Sequence, residues 1–226
     1  MTGLLCLILT IAIYVLAKKM YRKLPKVYLS PLLITPAVII LILMLSGVSY
    51  SMYNEGGHWL SLLLQPATVA FAIPLHRYFP VLKKHSGEIV ASVLSGSLIA
   101  VVSSLLLARW LHLDASLMNS IIPRSITTPI AMNVSQTIGG NPTITAVFVI
   151  LTGLSGLVVG PLTLRLFRFE NEIARGVLLG TAAHGTGTSK AFELSSLTGT
   201  ISSISMVLAA VFTLASAPLL VGLLLR

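Results

Sequence analysis

Apolar runs recur along the whole chain, and each is closed by basic or helix-breaking residues. Continuous runs cover residues 3–17, 29–46, 88–108, 143–164 and 198–225. Two further runs are apolar but interrupted: 59–76 by Gln65-Pro66 and Pro74, and 176–194 by His184-Gly185-Thr186-Gly187-Thr188. A bilayer core takes ~20 residues per crossing helix, so the pattern predicts about seven crossings. Residues 47–58 read as a polar turn containing glycine, and Pro31 as a residue near a helix start.

Residues 115–140 break the pattern. They hold Pro123, Arg124, three threonines, Pro129, Asn133, Gln136 and Gly139-Gly140, with no window of ~20 apolar residues. The positive-inside rule decides how to treat them. If they cross, Arg109, Arg165, Arg168, Arg175 and Arg226 fall opposite the cluster around Lys18–Lys26, Arg77, Lys83 and Lys84. If they turn back, only Arg109 is left outside. The lopsided arrangement is preferred. It makes 115–140 a re-entrant segment, with the N-terminus outside and the C-terminus in the cytoplasm.

The expected fold is therefore an all-α polytopic membrane protein. About seven transmembrane helices accompany one re-entrant, broken segment. Residues 1–226 form a single integral membrane domain. Repeat 1 covers about 28–110 and repeat 2 about 141–226. Each holds three spans with an interrupted middle helix, and the two begin on opposite sides. That is an inverted 3+3 repeat with discontinuous helices, the sequence pattern of secondary transporters with a midplane site.

Composition agrees: 55% of residues are hydrophobic and 9% charged, far from a soluble domain, where about a quarter are charged. The net charge of +9 would point to nucleic acid in a soluble protein. Here the basic residues sit at the ends of apolar runs, as membrane orientation requires, so no nucleic-acid partner is expected. Cys6 is the single cysteine, which leaves no disulfide framework. The charges of the first run follow it, so it reads as a retained span rather than a cleaved leader.

The candidate chemistry lies in the breaks. Thr127-Thr128-Pro129 reads as a helix start, with a hydroxyl N-cap and proline at the first helical position. Such a start offers free N–H groups and the positive end of the dipole. Arg124, one turn upstream, adds a charge with bidentate geometry for a carboxylate. Arg124, Ser125, Thr127, Thr128 and Asn133 are thus expected to bind an anionic solute; the bland alternative is an arginine that snorkels to the interface. The second break, Thr181, His184, Gly185, Thr186, Thr188, Ser189 and Lys190, offers unwound backbone and hydroxyls to the same solute. Lys190 and Glu193 lie three apart and can pair on one face. Gln65, Thr68, His184 and Glu193 are candidates for coupling to H+ or Na+. Gly139-Gly140 read as a turn, and Gly153, Gly156 and Gly160 as packing residues. No metal spacing, cofactor motif or catalytic set is evident, so no enzyme is expected.

Four strings carry a resemblance: Pro31-Leu32-Leu33-Ile34, Leu64-Gln65-Pro66-Ala67-Thr68-Val69-Ala70, Pro123-Arg124-Ser125-Ile126-Thr127-Thr128-Pro129-Ile130-Ala131 and Gly180-Thr181-Ala182-Ala183-His184-Gly185-Thr186-Gly187-Thr188. Over essentially its whole length the chain resembles the LrgB/CidB family. Relatives often carry glycine where this chain has Gln65. The resemblance implies a multi-pass protein of the bacterial cytoplasmic membrane, surrounded by lipid and assembled as a homodimer. It also implies an LrgA/CidA-type holin-like partner and an antiholin-like role in murein hydrolase export and cell lysis. Plastid and bacterial relatives imply transport of small monocarboxylates such as glycolate, glycerate, lactate or pyruvate by alternating access.

Overall fold

The computed structural model describes residues 2–24, 26–63, 66 and 72–224. These residues form α-helices and one short 3-10 turn, Val27–Leu29. The helices are α1 (Thr2–Lys23), α2 (Pro31–Ser46), α3 (Tyr50–Leu62), α4 (Ala72–Arg77), α5 (Phe79–Lys84), α6 (Ser86–Trp110), α7 (Ala115–Ile121), α8 (Thr128–Thr137), α9 (Pro142–Leu166), α10 (Glu172–Leu194) and α11 (Ser196–Leu224). Among the described residues, four stretches are long and apolar enough to cross a membrane: Gly3–Lys23, Ser86–Trp110, Pro142–Leu166 and Ser196–Leu219. Helix α2 is apolar but shorter. The chain forms two compact units, residues 1–72 and 73–226.

In the first unit, Pro31 opens α2 as expected and Gly47, in the left-handed region at φ 67°, closes it. Helices α1 and α3 touch backbone to backbone, because a Cβ on Gly56 would collide with the Gly3 carbonyl oxygen. The expected polar turn at 47–58 is largely helix α3 instead. Ser49 caps it, accepting from the Met52 amide. The local hydroxyl cap outweighs the glycines, each of which lowers helix stability by only ~1 kcal/mol.

The second unit carries the site. Helices α6 and α11 and the middle of the chain share one core, which includes Val93, Val101, Ile122, Ile126, Val149 and Ile201. Helix α11 brings small hydroxyl residues into it: Thr198, Thr200, Ser202, Ser203 and Ser205 are all buried. Small side chains of this kind let helices approach closely without an apolar driving force.

Residues 115–140 turn back on themselves. Asn119 Nδ2 donates to the Ile138 carbonyl at 2.7 Å, and the Asn141 amide donates to Ser120 Oγ at 2.7 Å. The end of α7 is thereby tied to the end of α8, and the break between them lies at the far tip. Gly139, at φ 82°, and Gly140 make the tie sterically feasible; a Cβ on Gly140 would meet the Ser120 nitrogen at 2.8 Å.

Helix α10 differs from the sequence expectation of a crossing helix over 176–194. It is interrupted at Ala183 (φ −130°, ψ 16°) and His184 (φ 40°, ψ −126°). Beyond the break the chain folds back along its own first half. A Cβ on Gly187 would strike the Leu179 carbonyl oxygen, and Gly180 and Thr188 both reach Ser202 of α11. In an unbroken helix residues eight apart lie about 12 Å apart, too far to share that neighbour. Glycines 180 and 187 permit the close approach, and the hydropathy of the segment, averaged across two short halves, hid the reversal.

Candidate functional site

The tip of the 115–140 hairpin is held by its apolar residues. Ile122 is 2% and Ile126 1% exposed, and between them Arg124 and Ser125 stay half-buried. Two short turns set this backbone, with the Arg124 amide donating to the Ile121 carbonyl and the Ile126 amide to the Pro123 carbonyl. Alternation of buried and half-buried residues across a turn presents the guanidinium to one side.

Arg124 meets helix α6 there. Its Nε donates to Ser104 Oγ at 2.9 Å, and that hydroxyl donates in turn to the Ala100 carbonyl at 2.6 Å. Ser104 is fully buried. Among the described residues no carboxylate pairs with Arg124, and its Nε bond to Ser104 is the side-chain hydrogen bond found for it.

Two cavities share the arginine. One, of about 420 Å³, lies between α9 and α10 and is lined by Arg124, Phe148, Thr152, Gly156, Leu178 and Ala182, among others. The other, of about 330 Å³, lies between α6 and α10, where Gly96, Ala100, Arg124, Ser125, Thr181 and Ala182 contribute. Leu178 and Ala182 of α10 line both, so the first half of α10 forms the partition at which Arg124 stands. Thr181, only 9% exposed, has a hydroxyl without a hydrogen-bond partner at the rim of the second cavity.

The α8 start matches its sequence signal in backbone and not in side chain. Thr127 is the N-cap (φ −63°, ψ 141°) and proline follows within the first turn, yet the Thr127 hydroxyl makes no capping bond. Thr128 is the first helical residue and half-buried. Asn133 lies on the exposed face of α8 and lines neither cavity.

The second break is spoken for largely by its neighbours. His184 Nε2 donates to the Val149 carbonyl at 3.1 Å. Thr186 Oγ1 bonds the Gly153 carbonyl at 2.9 Å and the Ala183 carbonyl at 2.7 Å. Gly153, Gly156 and Gly160 form the strip of α9 on which this tip rests, in the packing role their spacing indicated. Thr188 bonds Ser202 of α11 at 3.0 Å. Ser189 donates to the Gly185 carbonyl at 3.0 Å, and Lys190 pairs with Glu193. The structure therefore brings Arg124 and Ser125 to Thr181 and to the residues just before the break. Residues 184–193 turn toward α9, α11 or the surface. Gln65 and Thr68 lie outside the described residues.

Sequence reasoning missed Ser104, Ala100 and Gly96. They sit inside a continuous apolar span, where small residues look like packing. The available signal was the hydroxyl pair Ser103-Ser104 within that span.

These features define a helical membrane protein with broken, back-folded segments meeting at an arginine that no carboxylate neutralises among the described residues. The chain belongs to the LrgB-like family, whose model matches residues 10–223. It is 61% identical to YwbG of Bacillus subtilis (strain 168) over 220 residues, covering 97% of this chain and 98% of that protein. It is 40% identical to YxaC of the same organism, covering 98% of this chain and 96% of that one. The holin-like protein CidB of Staphylococcus aureus (strain N315) is 37% identical, with 97% of this chain and 96% of CidB covered. No solved structure matches the chain.

Proposed function

We propose that this chain is a multi-pass protein of the bacterial cytoplasmic membrane with an antiholin-like role. It regulates murein hydrolase export and lysis together with an LrgA/CidA-type partner. The observation that carries this reading is the similarity to the holin-like CidB over 97% of the chain. The test is dye release from vesicles that hold the partner, this chain, or both. Release that depends on the partner and changes when this chain is added is the expected result. Identical release with and without it would sink the reading.

A second reading is favoured by half-buried Arg124, which has a hydroxyl where a cation shielded from water ordinarily has a carboxylate. A charge within the bilayer and without a counter-charge marks a solute or ion path. Under this reading the chain carries small monocarboxylates of the glycolate, lactate or pyruvate type by alternating access. Helices α6, α9 and α11 cross the membrane, and the 115–140 and 172–194 hairpins dip from opposite faces toward Arg124. Each half is then a crossing helix followed by a hairpin, an inverted pair that replaces the 3+3 scheme. Uptake of labelled glycolate into proteoliposomes tests it. Removing the one cation facing a desolvated anion lowers uptake by ~100-fold or more in Arg124→Ala. Full, saturable uptake by that variant would sink the assignment.

A further inference from the structure

The partner of Arg124 is unusual in its charge. An arginine shielded from water, as half-buried Arg124 is in part, normally sits against a carboxylate, since an unpaired charge is poorly tolerated away from water. Here the group that orients it is Ser104, a neutral hydroxyl. The hydroxyl proton is committed to the Ala100 carbonyl at 2.6 Å, so the oxygen lone pair is what Arg124 Nε meets. The rotor is thus fixed from behind. Nε is the edge of the guanidinium so engaged, which leaves the two Nη groups for the cavities that Arg124 lines. Neither cavity has a second charged lining residue.

We propose that Ser104 is the positioning residue of the Arg124 site: it holds the guanidinium by Nε without neutralising it, so that the site accepts one negative charge. The ligand class that follows is a small monoanion with a planar, two-oxygen head, a carboxylate taken by both Nη groups. A dianion would bring one charge more than the site can offset. This inference rests on the second reading above, that Arg124 faces an anionic solute.

The charge logic separates three substitutions at one position. Ser104→Thr keeps the hydroxyl and should bind like the wild type. Ser104→Ala removes the orienting acceptor and leaves the charge; it should weaken binding roughly tenfold, the scale of one hydrogen bond to a charged group, and raise KM more than it lowers kcat. Ser104→Asp supplies a built-in counter-charge within reach of Arg124, and should abolish anion binding while keeping the fold. With a merely structural serine the loss would follow melting temperature rather than charge.

The experiment is ligand-induced thermal stabilisation of the full chain in detergent, with glycolate as the monoanion and malonate as the dianion. Glycolate uptake into proteoliposomes runs in parallel. Stabilisation of the wild type by glycolate over malonate, retained in Ser104→Thr and lost in a well-folded Ser104→Asp, is the expected result. Glycolate binding by Ser104→Asp equal to wild type would overturn the role of Ser104 and leave the Arg124 site standing. Failure of the wild type to bind any carboxylate would overturn both. Should Ser104→Asp fail to fold, equal glycolate affinity in Ser104→Ala and Ser104→Thr would overturn the proposal by itself.

Discussion

The two back-folded segments solve the same problem with different parts. In 115–140 the reversal is a six-residue tip, 122–127, pinned by two buried isoleucines, with Pro123 inside it, Pro129 just beyond it and the ties at its base. In 172–194 the reversal takes two residues, Ala183 and His184, and the ties are at the tip itself, to carbonyls of α9. A tip held by apolar residues keeps a polar side chain available to a cavity, and this is the one that presents Arg124. A segment tied at its tip has spent its polar groups on holding position. It offers the first cavity chiefly a smooth wall of Leu178, Ala182 and Ala183. The comparison separates a cavity-facing break from a scaffold-facing one, although both look alike as polar interruptions in a sequence.

The sharpest way to break the comparison is topological and all-or-none. In a Cys6→Ser background, single cysteines at positions 113 and 141 should label from one face of the membrane, and those at 170 and 195 from the other. Labelling of 170 and 195 from opposite faces would restore α10 as a crossing helix.

Next in size is Gly180→Val. Its side chain would enter the Ser202 carbonyl on α11, and the hairpin cannot shift away without parting Thr188 from Ser202. Loss of about 3 kcal/mol or more is expected, the scale of overpacking at a close backbone contact, read as a fall in melting temperature. Thr186→Val removes the hydroxyl whose one proton the Gly153 and Ala183 carbonyls share at the tip and should lower stability by about 1–2 kcal/mol, with glycolate affinity little changed. A large change in affinity instead would move the second break into the ligand site.

The gentlest test is His184→Gly. The histidine sits at φ 40°, a left-handed conformation that strains a non-glycine residue by about 1–3 kcal/mol. Relief of that strain should roughly offset loss of the bond to Val149, leaving stability within ~1 kcal/mol of wild type. A drop of several kcal/mol would mean that the imidazole holds the tip more firmly than one hydrogen bond can.

The all-helical architecture and the break in 115–140 were legible because they rest on local signals: long apolar runs, and a cation bracketed by prolines and hydroxyls where no apolar run is long enough to span. The start of α8 was legible for the same reason, since Thr127 and Pro129 act through their own backbone. The reversal in α10 was not. Its cause is steric and non-local, a glycine at 187 sliding under the Leu179 carbonyl, and in one dimension that glycine looks like packing. The α3 helix was missed because Gly56 and Gly57 read as a turn, while Ser49 supplies a cap and Gly3 a partner surface. Ser104 was invisible for a related reason. Its importance comes from being opposite Arg124, twenty positions away in sequence.

The neutral hydroxyl behind Arg124 also has a consequence for electrical work. Under the transport reading, an empty site carries one positive charge and a site loaded with a monoanion carries none. A membrane potential does work of ~2.3 kcal/mol per elementary charge per 100 mV. The loaded movement would then ignore the potential and the empty return would feel it. Voltage would set the pace and direction of the return, and so the side on which the site waits.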